Sequence, residues 1–176
     1  MRIEADSVVP FPRPRVFAAY RDDMRDFVKL LPNLRGIEMK EREEKEPGVT
    51  RILNVWHGGG DIPAAVRGVM GDKALSWDDY ALWREPDWYV EWNIKPHVLT
   101  EAVKCGGKTS FVELGGGRTR MEIRGDISID LKKVRGVPSF LAGSIGRAVE
   151  QFLVRAITPN LTGVADALTK HLESKG

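Results

Sequence analysis

Residues Pro138 to His171 carry the longest amphipathic pattern in the chain. Leu141, Ile145, Val149, Phe152, Ala156, Leu161, Val164 and Leu168 recur at steps of three to five, near one face of a helix. Val137-Pro138-Ser139 supplies a start signal, because the first helical turn has no use for the N–H that proline lacks. Pro159 predicts a kink or split near Thr158. A helix with one apolar stripe must bury it against another layer. Nearly everything before Pro138 reads as strand, so that layer is a sheet. A curved sheet closed around one helix leaves room for a cavity between them.

The strands are read from alternation. Arg2 to Val9 places Ile3, Ala5, Ser7 and Val9 on one side, and Pro10, Pro12 and Pro14 end it. Two short helices are expected next, about Arg13 to Tyr20 and about Asp23 to Leu31, with Pro32 closing the second. Both are too short to persist without packing. Asn33 to Glu46 begins with Leu34, Ile37 and Met39 and turns into the charge run Lys40 to Glu46, the expected solvated end of a long hairpin. Pro47-Gly48 is its turn and Val49 to His57 its return strand. Ile62 to Met70 has helical spacing. Leu75 to Arg84 and Asp87 to Lys95 are tryptophan-rich strands joined at Glu85-Pro86. Gly106-Gly107 is expected to break the chain before a further strand, Thr109 to Leu114. In the last strand, Thr119, Met121, Ile123, Gly125, Ile127, Ile129 and Leu131 alternate with an almost wholly charged set. That is the pattern of an antiparallel sheet with one wet face. The expected class is α+β in one domain, 1–176: about seven antiparallel strands, two short helices after the first strand, and a long C-terminal helix.

Composition removes several function classes. A net charge of +2, with bases and acids interleaved, gives no footprint for nucleic acid. No apolar run approaches the ~20 residues of a spanning helix, so no stable membrane insertion is expected. Met1 to Pro14 lacks the apolar core of a secretion signal, and the lone Cys105 forms no intrachain disulfide, so the expected compartment is the cytoplasm. No metal and no cofactor is expected: His57, His97 and His171 form no ligand pair, and one cysteine does not make a zinc site. Gly106-Gly107-Lys108-Thr109 imitates the end of a phosphate loop, but Ala102 stands where the first glycine belongs and a strand, not a helix, follows.

The groups left for chemistry are aromatic and acidic. Trp56, Trp77, Trp83, Trp88 and Trp92 all fall on expected strands, where large rings either line an apolar pocket or fill the core. Asp79 shares the parity of Trp77 and Trp83, which allows it to point inward, but the expectation is that Asp78-Asp79 straddles a bulge and that both are wet. Arg51 and His57 share one strand face, toward the cavity or toward solvent.

The whole chain resembles the START/Bet v 1-like superfamily, the SRPBCC or polyketide cyclase/dehydrase and lipid-transport group. The resemblance lies in Val9-Pro10-Phe11-Pro12-Arg13-Pro14-Arg15-Val16-Phe17 and in Asp26 to Pro32 followed by Leu34. Trp92-Asn93-Ile94-Lys95-Pro96, Arg118-Thr119-Arg120-Met121 and Val137-Pro138 add to it, as does the order of elements. It implies a helix-grip fold, an incomplete barrel around the C-terminal helix, with an apolar cavity. The superfamily shares no catalytic residues, so the fold leaves function open.

Three functions follow. The first is binding or transport of a hydrophobic small molecule, such as a lipid, isoprenoid, quinone or polyketide. Its expected lining is Trp56, Trp83, Trp92, Met121, Ile123, Phe140, Ser144 and Phe152, with Ser144 orienting a polar head. The second is a polyketide cyclase or aromatase with His57, Arg51 and Asp79 as candidate catalytic groups. The third is a protein-interaction module using the exposed sheet face or the charged hairpin. A homodimer is compatible with all three.

Overall fold

The computed structural model describes residues 1–59, 76–98, 100–130, 143, 147, 151 and 163–176. The chain begins with strand β1 (Arg2–Val9), helix α1 (Arg13–Asp22) and the short helix α2 (Met24–Phe27), which tightens into a 3₁₀ turn (Val28–Leu30). Six strands follow: β2 (Leu34–Glu46), β3 (Val49–Gly58), β4 (Ser76–Arg84), β5 (Tyr89–Pro96), β6 (Val103–Leu114) and β7 (Arg118–Ile129). Residues 163–174 form the described part of the C-terminal helix, α3, and residues 143, 147 and 151 are helical and exposed. The expected helix start at Pro138, the kink at Pro159 and the ambiguous stretch Ile62 to Met70 lie outside the described residues.

The seven strands make one antiparallel sheet in the order β1-β7-β6-β5-β4-β3-β2. β1 and β2 are its edges, so the sheet curves without closing. Alternation decides what each face meets. On β7, Thr119, Met121, Ile123 and Ile127 are buried, while Arg118 and Arg124 are exposed. The core lies between the concave face and the helices. Phe17 of α1 is 1% exposed and packs edge-on against Trp83 (5.3 Å), Trp88 (5.4 Å) and Phe111 (5.0 Å). Full burial of one such ring stabilises by roughly 1.5–3 kcal/mol.

α3 buries Val164, Ala165, Ala167, Leu168, His171 and Leu172 and exposes Asp166 and Lys170, the stripe expected of a helix lying on a core. Its C-terminal end is pinned. Arg15 Nη2 donates to the Leu172 carbonyl at 3.1 Å, filling one acceptor left free at a helix end. His171 Nε2 lies 3.1 Å from Asp23 Oδ2, and Lys175 Nζ lies 3.0 Å from the same oxygen.

Two expectations change. The β4–β5 turn extends beyond Glu85-Pro86 to Trp88, whose φ of 54° is held where its ring meets Phe17 and lies beneath the Arg13 guanidinium at 4.6 Å. Gly106-Gly107 does not break the chain. β6 runs continuously from Val103 to Leu114, and Gly107 makes room for a ring. Gly107 pairs with Trp92 on one side and Gly125 on the other. A Cβ at Gly107 or at Gly125 would stand 2.6 Å from the Trp92 indole.

Candidate functional site: an apolar cavity with one buried carboxyl

The concave face and the helices border a partly open cavity of about 200 Å³. Most of its wall is apolar: Met39 from β2, Trp77, Ala81 and Trp83 from β4, Val90, Trp92 and Ile94 from β5, Ile123 and Ile127 from β7, and Val164 from α3. The strand period carries them there. Trp77, Asp79, Ala81 and Trp83 are alternate residues of one strand and share its inner face. Trp56 and Trp77 are cross-strand partners, stacked with centroids 6.3 Å apart and planes 7° from parallel. Trp92 spans from β5 over the glycines, and its Nε1 donates to the Thr109 hydroxyl at 3.2 Å.

Asp79 is the acid in this inner wall. Trp56 Nε1 donates to its Oδ2 at 3.2 Å. Its Oδ1 is fully covered and has no hydrogen-bond partner among the described residues, although the residue as a whole is only half-buried. Burial in apolar surroundings pushes its pKa up to about 6, against the lowering effect of the Trp56 bond. The same environment holds its neighbours neutral. Burial, and then the Asp79 charge, raise the Tyr20 hydroxyl above its ordinary value and push the Cys105 thiol up to about 11. Cys105 is therefore a buried thiol that keeps its proton near neutral pH.

Of the residues expected on the lining, Trp56, Trp83, Trp92 and Ile123 border the cavity. Phe140, Ser144 and Phe152 lie outside the described residues. Met121 sits instead in the main core, opposite Phe111. The start of α1 covers that end of β7, where the Thr119 hydroxyl donates to the Phe11 carbonyl at 2.7 Å. Of the candidate catalytic groups, Asp79 faces inward with no bulge in the β3–β4 pairing. Arg51 and His57 stand on the outer face. Arg51 pairs with Glu43 at 3.1 Å, and His57 Nε2 lies 3.2 Å from Glu38 Oε1, both across the β2–β3 hairpin. Odd positions of β3 point outward wherever Ile52, Asn54 and Trp56 point inward.

Sequence reasoning passed over Trp77, Ala81, Asn54 and Tyr20 as lining, although parity with Trp83 or Trp56 marks the first three. It also missed two clusters that only pairing brings together. Ser76 Oγ lies 2.8 Å from His97 Nδ1, and His97 Nε2 lies 2.6 Å from Asp78 Oδ1. His97 is 43% exposed, so water competes for this chain of bonds, which ties the end of β4 to the end of β5. Asp23, Asp26 and His171 bring three ligand-type atoms within 4.8 Å, but the Lys175 ammonium already supplies their cation. Among the described residues no helix is long and apolar enough to cross a membrane.

A seven-stranded open antiparallel sheet wrapped on a C-terminal helix, with an apolar hollow between them, is a START/SRPBCC-type helix-grip fold. Solved structures with this architecture match nearly the whole chain. TTHA0849 from Thermus thermophilus is 15% identical, with 97% of this chain and 99% of that one covered and a TM-score of 0.68. The Zhui aromatase/cyclase from a Streptomyces species is 14% identical, covers 98% and 93%, and has a TM-score of 0.65. A START superfamily protein from Mycobacterium smegmatis is 12% identical, covers 99% of both chains, and has a TM-score of 0.55. No family model and no curated protein matches the sequence. At these identities the likeness is one of fold.

Proposed function

We propose that this protein binds a hydrophobic small molecule in the cavity between the sheet and the C-terminal helix. The observation that carries the proposal is the cavity wall: stacked and spanning indoles, aliphatic side chains, and very few polar atoms. Small-ligand sites are usually built this way, with apolar surface for affinity and one or two polar groups for orientation. The volume of about 200 Å³ lies below the roughly 300–1,000 Å³ of most ligand pockets and favours a compact ring system over a long acyl chain. Ala81, 3% exposed on the cavity floor, provides the control. A neutral fluorescent naphthyl probe is expected to bind saturably, quenching tryptophan emission by energy transfer, and Ala81→Phe is expected to abolish that binding while the protein stays folded. Saturable binding that survives in Ala81→Phe contradicts this location.

A second reading, a cyclase or aromatase, is favoured by one observation. Asp79 has a pKa raised to about 6, in the range a general acid or base needs near neutral pH. In that reading the cavity folds a reactive polyketide and Asp79 moves the proton, without Arg51 or His57. Turnover of a poly-β-ketone thioester analogue, lost in Asp79→Asn, is its test; unchanged decay with and without protein contradicts it.

A further inference from the structure

We infer that the cavity selects, among compact apolar molecules, those carrying one hydrogen-bond donor, an amine or a hydroxyl, and that Asp79 receives it. The inference rests on the cavity being a ligand site and adds the polar half of its specificity. Asp79 Oδ1 is fully covered yet unpartnered among the described residues, while Oδ2 is held by Trp56. A buried acceptor without a partner is costly to maintain, and a ligand that supplies the missing donor recovers that cost on binding. The last torsion of an aspartate is soft, so a small rotation turns Oδ1 toward the cavity that the residue borders.

The surroundings favour a donor over a second acid. No cation among the described residues is within pairing distance of Asp79, so a carboxylate ligand placed against it would meet like charge with no cation paired there to offset it. The ionisable groups that feel its charge are Tyr20 from α1 and Cys105 from β6, and burial keeps both protonated near neutral pH. Trp56 and Asn54 from β3 and Ile94 from β5 are uncharged. At the cavity rim Arg21 and Asp22 are already paired with each other, at 2.9 Å, and the exposed Arg25 is a further rim cation. The stacked Trp56 and Trp77 and the nearby Trp92 supply π faces that suit a cationic head as well as an aromatic body.

The test compares two ligands of nearly equal shape, naphthylmethylamine and methylnaphthalene, by calorimetric titration of the full chain. At about pH 7.5 the amine is expected to bind roughly tenfold more tightly, the effect of one charge-assisted hydrogen bond. Asp79→Asn is expected to erase that preference and leave methylnaphthalene binding within about twofold. Should Asp79→Asn fail to fold, the unmodified protein gives the same answer: the preference shrinks as the pH falls from about 7.5 to about 5, where Asp79 takes up its proton and the amine stays charged. Equal affinity for the two ligands in the unmodified protein overturns the role of Asp79 and leaves the apolar cavity standing. A preference that persists in Asp79→Asn, or that ignores pH, also overturns it. Binding of neither ligand overturns the cavity reading itself.

Discussion

A carboxyl group walled by tryptophans has a pH signature. In the unfolded chain Asp79 titrates near the ordinary aspartate value of 3.8, and burial pushes it up to about 6 in the fold. Below about pH 4 it is neutral in both states and costs nothing. As the pH rises, the unfolded chain releases its proton first, so stability falls between about pH 4 and pH 6, by about 3 kcal/mol in full. Asp79→Asn is expected to flatten that part of the stability profile, read from denaturant melts at about pH 4 and about pH 7.5. An unchanged slope would mean the carboxyl is wetter than its surroundings imply. Gly125 makes a steric counterpart. A methyl there would meet Trp92 Cη2 at 2.6 Å and the Gly106 carbonyl at 2.7 Å. Gly125→Ala is therefore expected to destabilise by about 1–3 kcal/mol, the usual cost of overpacking, seen as a lowered Tm. Parity with Trp77 and Trp83 put Asp79 on the inner face, but it left standing the expected bulge that would turn Asp78 and Asp79 to water; only the unbroken register of β4 with its neighbours removes it. The purpose of Gly107 and Gly125 was not legible. Two glycines on separate strands and an indole on a third meet only through pairing, and sequence order does not contain that.

At the scale of elements, α3 and the α1–α2 corner hold each other. Asp23 accepts from Lys175 and lies against His171, so although burial opposes ionisation, these partners hold its carboxyl below the ordinary range. A depressed carboxylate contributes stability above its unfolded pKa that is lost as the pH falls through the folded value. Asp23→Ala is expected to lower stability at neutral pH by about 1–2 kcal/mol and to speed amide exchange in residues 163–174 more than in β5 or β6. Uniform acceleration would mean α3 is not a separately opening unit. Most element bounds follow from local signals: prolines at 10, 12 and 14 end β1, and Pro47-Gly48 closes the charged hairpin with Gly48 at φ 76°. Departures came where packing overrides local chemistry. Trp88 adopts a turn conformation that bulky residues seldom take, and β6 passes through two glycines that read as a break.

For the molecule as a whole, antiparallel pairing and one apolar face per strand were enough to foresee a curved sheet around a helix. They were also enough to place Trp56, Trp83, Trp92 and Ile123 on its inner side. They did not show how far α1 covers β7 and takes Met121 out of the wall, nor that Arg51 and His57 join the outer ion pairs of the hairpin. Those outcomes depend on curvature and on which end of the hollow each helix closes. The central claim is a property of the whole chain, an apolar hollow that takes up a molecule. The direct measurement is native mass spectrometry of the purified protein, with organic extraction and mass analysis of whatever is released. One discrete apolar species per chain, displaced by the naphthyl probe and absent from Ala81→Phe, is the predicted result. A bare protein mass that no fatty acid, quinone, aromatic polyketide or naphthyl amine shifts would contradict it.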